Sequence, residues 1–401
     1  TQGRPLQNAA AYLADGTIQQ IHVKSLLPTY DVFDETRYFE PDSVPGCIAI
    51  GDTTVGVSIC EDLWDAEALG TMLYEDDPVT RLQDSGADII INMAASPFQM
   101  GKANVREELF ARQAKRHDTP ILYVNQVGGN DELVFDGCSC AFSASGELLG
   151  RAMSFREDLL LVDVPQMGRC EALGDSMGRL YEALTLGVRD YVHKCGFTSA
   201  VLGLSGGIDS ALVATIAADA LGPANVVALA MPSRYSSDHS LDDAEALATN
   251  LGIHYRVVPI KSMHDAFESQ LQQLLADGNV QIAEENIQAR VRGATVMAFS
   301  NAYGHLPLAT GNKSELSVGY CTLYGDMCGG LAPIGDVLKT QVYAVCEWLN
   351  AQTGTDRIPR NTLDKPPSAE LKPGQVDQDK LPPYDVLDEI LRLYVEEDLP
   401  A

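Results

Sequence analysis

Two short stretches of this sequence carry residue types and spacings that could do chemistry. The first is A-V-L-G-L-S-G-G-I-D-S-A-L, from Ala200 to Leu212. An apolar run ends at Leu204, two glycines follow, and a helical pattern opens near Asp209. Gly206 and Gly207 remove side chains where backbone N–H groups must approach an anion, and a helix N-terminus adds partial positive charge. Gly203, Leu204, Ser205, Gly206, Gly207, Ile208 and Ser210 therefore read as a phosphate loop. Asp209 is itself an anion, so it fits there as a ligand of Mg²⁺ bridging to phosphate oxygens. The second stretch, V-G-V-S-I-C-E-D-L-W, places Cys60 just past a strand end, where a thiol can project into a site. A lone cysteine is usually a small core residue, so its neighbours must decide.

The first loop is not a Walker A motif, because no G-x-x-x-x-G-K-[ST] is present. It resembles the S-G-G-x-D-S loop of the ATP pyrophosphatases, which split ATP into AMP and pyrophosphate. Gly203, Ser205 and Gly207 also satisfy G-x-S-x-G, which would make Ser205 the nucleophile of an α/β-hydrolase. That alternative needs an acid and then a histidine downstream, and it leaves Asp209 and Ser210 without a role. Further along, A-T-G-N-K-S-E-L-S-V-G-Y-C-T-L-Y-G-D-M-C-G-G (309–330) and K-P-P-S-A-E-L-K-P-G-Q (365–375) closely resemble the NAD synthetases.

The resemblance implies ATP as co-substrate, activation of the nicotinate carboxylate of deamido-NAD⁺ as an adenylate, and displacement of AMP by ammonia. Carried over by position, Ser205 to Ser210 would hold ATP phosphates and Thr310 would contact the nucleotide. Asp209 and Glu315 would hold Mg²⁺ or face the reacting groups. Asn286 and Arg290 would bind deamido-NAD⁺, with Tyr320 near the nicotinate. Asp326 and Lys339 would flank the adenylate, and Ser368 would sit in a mobile loop. Carboxylate attack on phosphate brings negative charge to negative charge, which Mg²⁺ and Lys339 must neutralise. Arg234, Arg290, Arg292, Lys313, Lys339 and Lys365 supply cations within an acidic chain.

The Cys60 segment together with H-V-K-S-L-L-P-T-Y-D-V-F-D-E (22–35) resembles the nitrilase-type amidases. In that family a cysteine attacks the amide, a lysine stabilises the oxyanion and a glutamate is the general base. The matching residues are Cys60 and Lys24, and a cation beside the thiol would favour its thiolate. Tyr30, Glu61, Ser96 and Lys102 match positions that hold glutamine. The family's base lies upstream of its lysine, yet residues 1–23 contain no glutamate and the earliest is Glu35. The family also continues beyond the last residues here, so the expectation is a fragment truncated at both ends. An alternative keeps the amidase domain inactive and feeds free ammonia to the synthetase.

These side chains need elements to position them. Strands are predicted at 52–59, 87–92, 120–125, 136–143 and 159–164, with a helix over 104–116 whose apolar face holds Val105, Leu109, Phe110 and Ala114. The aperiodic Pro165–Asp175 stretch marks a boundary between domains at 1–165 and 176–401. Ser176 is predicted to cap a helix. Strands near 198–204, 225–231, 254–260 and 306–310 then alternate with helices near 209–221, 239–251 and 283–302, which predicts a doubly wound parallel sheet. The Pro-rich segment 357–384 reads as a loop. The fold class is thus α/β: an incomplete nitrilase-type α-β-β-α layer domain followed by an ATP pyrophosphatase domain.

The chain has 401 residues, long enough for two cores, and a formal net charge of −28 that disfavours nucleic acid and anionic membranes as partners. Nine scattered cysteines with no C-x-x-C pair point to a reducing, cytoplasmic setting. The expected partners are therefore small molecules (deamido-NAD⁺, ATP, and glutamine or ammonia) together with further copies of the chain in a homo-oligomer.

Overall fold

A computed structural model describes residues 4–44, 46–65, 70, 73–236, 238–274, 278, 280–372, 374–397 and 399–400. The chain divides into two compact units, one of residues 1–128 and 132–179, the other of residues 129–131 and 180–401. No helix among the described residues is long and apolar enough to cross a membrane.

In the first unit, β1 (Ala9–Ala14) and β2 (Thr17–Val23) form a hairpin. Its turn residues Asp15 and Gly16 both have positive φ, as a tight hairpin turn of this hand requires. Six further strands form one mixed sheet: β3 (Gly46–Ile50), β4 (Thr53–Ile59), β5 (Ile89–Ala94), β6 (Ile121–Asn125), β7 (Cys140–Phe142) and β8 (Leu148–Arg151). They lie in the order β8-β7-β6-β5-β4-β3, with β4, β5 and β6 parallel and the outer pairings antiparallel. The short α1 (Glu35–Tyr38) follows the hairpin, while α2 (Pro78–Asp84) and α3 (Lys102–His117) bring Leu82, Leu109 and Phe110 into a core with Ile90, Ile121 and Phe142.

Three expectations fail here. Val105 is not on the buried face of α3, which instead carries Ala103, Arg106, Leu109, Phe110, Gln113 and Ala114. Arg106 can be buried there because Asp136 accepts its guanidinium at 2.6 Å. The predicted 136–143 strand is broken, since Gly137 and Cys138 take positive φ between strand Leu133–Asp136 and β7. Segment 159–164 is not a strand: Leu159 and Leu161 are 80% and 81% exposed and pair with no ladder. The continuous apolar run Leu159–Val162 suits a strand locally, but it pairs with no neighbouring strand among the described residues.

In the second unit, β9 (Ala200–Gly203), β10 (Val226–Ala230), β11 (His254–Val257) and β12 (Leu306–Leu308) form an all-parallel sheet in the order β11-β10-β9-β12. The unbroken apolar runs of β9 and β10 are fully buried, as expected for a parallel sheet covered on both faces. Chain order reverses between β9 and β12, so the crevice beyond their carboxyl ends is where a doubly wound sheet binds its ligand. The flanking helices include α4 (Ser176–Lys194), α5 (Ile208–Leu221), α6 (Asp238–Leu251) and α7 (Val280–Tyr303). Ser176 is the first residue of α4, and the carboxylate that caps it belongs to Asp175, accepting from the Gly178 N–H at 2.8 Å. After α8 (Lys313–Ser317) and α9 (Lys339–Thr353), the 357–384 segment is less irregular than predicted. It contains α10 (Arg360–Asp364) and a 3₁₀ turn at Asp377–Asp379, and α11 (Tyr384–Leu391) opens at its end.

Candidate active sites

In the first unit, β4 delivers Cys60 into a 3₁₀ turn, Cys60–Leu63. Cys60 holds φ at +46°, a left-handed conformation that a non-glycine residue adopts at some cost and often at functional positions. Asp62 fixes this turn. One of its carboxylate oxygens accepts the Ile59 N–H at 3.0 Å, and the other accepts the Ser25 and Leu26 N–H groups at 3.0 and 2.8 Å. The same carboxylate thus ties the Lys24 segment to the Cys60 turn. Asn92 of β5 adds a bond to the Cys60 carbonyl at 3.2 Å.

Lys24 is 1% exposed, and its Nζ lies 2.6 Å from Glu35 Oε1. Glu61 accepts hydroxyl protons from Tyr30 at 2.7 Å and Tyr74 at 3.1 Å. The Lys102 ammonium lies over the rings of Phe33 and Trp64. Burial pushes the Cys60 thiol up to about 11, against the opposing pull of Lys24 and Lys102, while Glu61 and Glu35 push it further up. The expected effect of Lys24 has the right sign, but burial outweighs it. Ser96 is buried and exchanges backbone bonds with the Asn125 amide, without a bond to this group. The sequence reading missed Glu35, Asp62, Asn92 and Tyr74. Of these, only Asp62 had a local signal, two residues after Cys60 in C-E-D.

In the second unit, Gly206 sits at φ +78°, and a Cβ there would lie 2.3 Å from the Ser240 carbonyl oxygen, so only glycine fits. The Ser210 hydroxyl donates to Gly207 O at 3.0 Å, which leaves the Ser205 hydroxyl, 3.1 Å away, to donate to Ser210. Among the described residues no histidine bonds Ser205, so the hydrolase alternative has no general base at its nucleophile.

Asp209 stands in the first turn of α5. One of its oxygens accepts from Asn312 Nδ2 at 2.9 Å and the other meets Lys339 Nζ at 2.5 Å. Lys339 is 2% exposed and also meets Glu315 Oε1 at 3.0 Å. Asn312 has a second task, capping α8 by accepting the Glu315 N–H at 3.0 Å. The Tyr384 hydroxyl donates to Asp377 at 2.8 Å and lies 3.3 Å from Glu315, and Tyr320 donates to the other Asp377 oxygen at 3.2 Å. Burial and the nearby Asp209 charge push the Glu315 carboxyl up to about 7. Burial alone would lower the Lys339 ammonium, but the two carboxylates reverse that and raise it.

Asp209, Glu315, Tyr320, Lys339 and Asp377 line a cavity of about 300 Å³ beyond the carboxyl ends of the central strands. Its wall includes the 203–210 loop without Gly206, together with Thr310, Glu315, Tyr320, Asp326, Lys339 and Ser368. Asp326 accepts the Thr322 N–H, whose hydroxyl in turn donates to Asn286. Asn286 and Arg290 are not in the wall; Arg290 is exposed and donates to Leu323 O. Asn312, Asp377 and Tyr384 were missed: the last two reach the site from a distant part of the chain, whereas Asn312 stands three residues before Glu315 within the 309–330 motif.

Comparison with known proteins agrees with this geometry. Residues 1–172 match the family described as carbon-nitrogen hydrolase, and residues 180–401 match NAD synthase. The glutamine-dependent NAD(+) synthetase of Synechocystis sp. is 51% identical over 98% of this chain and 72% of its own length. That of Thermotoga maritima is 43% identical over 98% and 73%. The structure of glutamine-dependent NAD⁺ synthetase from Acinetobacter baumannii, in complex with ADP, superposes with a TM-score of 0.84 at 38% identity, covering 98% of this chain and 71% of that one. With a cysteine–lysine site on one unit and a carboxylate–lysine cavity beside a glycine loop on the other, the chain belongs to the glutamine-dependent NAD⁺ synthetases.

Proposed function

We propose that the second unit adenylates the nicotinate carboxylate of deamido-NAD⁺ with ATP, and that ammonia released from glutamine at Cys60 then displaces AMP. The observation that carries this reading is the Lys339 ammonium held by Asp209 and Glu315 in a cavity that also presents the 203–210 loop. The Gly207 backbone and the N-terminus of α5 orient phosphate. Lys339 stands where charge accumulates as carboxylate meets phosphorus. Thr310 contacts the nucleotide, and Asn286, Arg290, Tyr320, Asp326 and Ser368 orient deamido-NAD⁺.

The residues fit a hard divalent cation. Asp209 and Glu315 are oxygen donors close enough that one raises the other's carboxyl, so Lys339 does not offset all of their charge. These two carboxylates would hold Mg²⁺, which when bound supplies neutralisation of crowded phosphate charge.

At the amidase site, Cys60 Sγ attacks the glutamine amide carbon while Lys24 stabilises the oxyanion; the thiol proton passes to the amide nitrogen, which leaves as ammonia, and water then cleaves the thioester to release glutamate and restore the thiol. Glu35 holds Lys24 in place, while Tyr30, Glu61 and Lys102 form the wall that takes the substrate. Similarity to glutamine-dependent synthetases across both units favours an active amidase over an inactive one. The test is product analysis with glutamine and with ammonium supplied separately. Both should yield AMP and pyrophosphate in step with NAD⁺. Release of ADP and inorganic phosphate instead would refute the adenylate.

A further inference from the structure

Arg292 is anomalous in its surroundings. Among the described residues, the arginines without a carboxylate ion pair are Arg156, Arg256, Arg290 and Arg292, and the first three are exposed. Arg292 is not exposed, yet it is left unpaired in a chain of net charge −28. Among the described residues its side chain makes one hydrogen bond, from Nε to the Met231 carbonyl at 3.2 Å, just past β10. Buried Arg106 and Arg179 both face Asp136, which is how a desolvated guanidinium is ordinarily neutralised. Burial pulls the Arg292 guanidinium below its ordinary range, with Glu370 acting the other way.

The side chain lines the cavity that also holds Ser205, Gly207 and Asp209. Met231 approaches the loop from the same side: a Cβ on Gly203 would lie 3.2 Å from its Cε. Arg292 thus stands in a cavity wall with no carboxylate among the described residues in ion-pair contact with its guanidinium. A guanidinium fork matches a phosphate in geometry as well as charge.

We infer that Arg292 binds a phosphate oxyanion of a nucleotide substrate, completing with its own charge the site that the loop amides begin. This rests on the nucleotide site proposed above. The shared chemistry is a phosphate ester, which either ATP or the dinucleotide could present, and the test separates the two.

The experiment uses the full chain with ammonium as nitrogen source, comparing wild type with Arg292→Met, Arg292→Lys and Asp209→Asn. Binding of ADP, adenosine and deamido-NAD⁺ is measured by calorimetry and by the rise in Tm that each ligand produces. Arg292→Met should keep the wild-type Tm without ligand or exceed it, because it removes a half-buried charge that has no ion-pair partner. Its affinity for one phosphate ligand should fall on the order of 10- to 100-fold, the weight of a charge-assisted hydrogen-bonded pair. Loss confined to ADP assigns the oxyanion to ATP, and loss confined to deamido-NAD⁺ assigns it to the dinucleotide. Arg292→Lys should recover part of the affinity, since it keeps the charge but not the fork.

Unchanged affinity for both phosphate ligands overturns the inference. So does an equal fall for adenosine and ADP, which would mean that the guanidinium meets the base. If Asp209→Asn abolishes synthesis while Arg292→Met binds normally, only this inference fails. If neither variant differs from wild type, the nucleotide site itself is misplaced.

Discussion

Each unit buries one lysine against carboxylate, and the two arrangements differ in what they leave over. Lys24 meets a single carboxylate, Glu35, beside a thiol that burial keeps protonated. Lys339 meets two, Asp209 and Glu315, and burial together with the Asp209 charge pushes Glu315 up to about 7. The first site is therefore close to charge balance and is suited to a neutral amide, with its cation held by Glu35 near the thiol. The second carries surplus carboxylate and is suited to a cation and the phosphates it brings. The lesson is that the same lysine–carboxylate contact serves opposite chemistries, according to how many acids share it.

The largest effect that would sharpen this contrast is the separation of the two sites by nitrogen source. Cys60→Ala should reduce glutamine-supported NAD⁺ synthesis by about 10⁴-fold or more, since a nucleophile and its partners act as a unit. Ammonium-supported synthesis should stay within about two-fold of wild type, because the thiol takes no part in forming the adenylate. Steady-state rates with each donor check this. If ammonium does not rescue the variant, Cys60 is structural or the two sites are obligately coupled.

Next in size is the second lysine's cluster. Asp209→Asn and Glu315→Gln should each lower NAD⁺ formation on the order of 10²–10³-fold with either nitrogen source, the usual weight of a charged group facing the transition state. Rates at saturating ATP and Mg²⁺ are the measurement. Near-normal activity in both variants would remove the surplus-charge account of this site.

How much of this was legible in the sequence follows the same division. The 200–212 loop and the Cys60 turn announce themselves because each is contiguous: a strand, its end and the next turn lie within about a dozen residues. Asp377 and Tyr384 carry no such signal. They meet Tyr320 and Glu315 only because the fold gathers distant loops at one crevice, beyond the ends of β9 and β12. Asp62 was legible as a neighbour of Cys60 but not as an anchor, since its role depends on the Ser25 and Leu26 amides, 37 and 36 residues away. Leu159 and Leu161 show the converse, a local pattern of strand type that tertiary structure does not use.

A smaller effect tests Asp62 itself. Asp62→Ala frees the Ser25, Leu26 and Ile59 amides, so Lys24 and Cys60 lose their shared tether. Stability should fall by about 1–3 kcal/mol, the cost of buried groups left without partners. Glutamine-supported kcat should fall roughly 10- to 100-fold, with KM changing less, because the defect is in positioning. Thermal melting and glutaminase kinetics, with ammonium-supported synthesis as the internal control, decide the matter. A drop in both activities alike would show global damage instead.

The smallest effect tests whether the first lysine acts on the thiol at all. Lys24 pulls the Cys60 thiol down while burial, Glu61 and Glu35 push it up, with a net position of about 11. Only the thiolate is alkylated, so Cys60 of the free enzyme should react slowly near neutral pH and faster as pH rises toward that value. Lys24→Met removes the opposing cation and should shift the profile upward, slowing alkylation several-fold at a fixed pH. Glu35→Gln removes a nearby negative charge and should shift it downward, speeding alkylation even as glutamine turnover falls through loss of the Lys24 contact. Peptide mapping after iodoacetamide treatment reads Cys60 directly, and the exposed Cys170 and Cys195 in the same digest report whether the reagent was equally available. Opposite shifts for the two variants would show that charge, rather than access, sets the thiol's reactivity. If both variants speed alkylation, the pair Lys24–Glu35 acts as a steric cover over Cys60, and its likeness to the Lys339 cluster is one of shape alone.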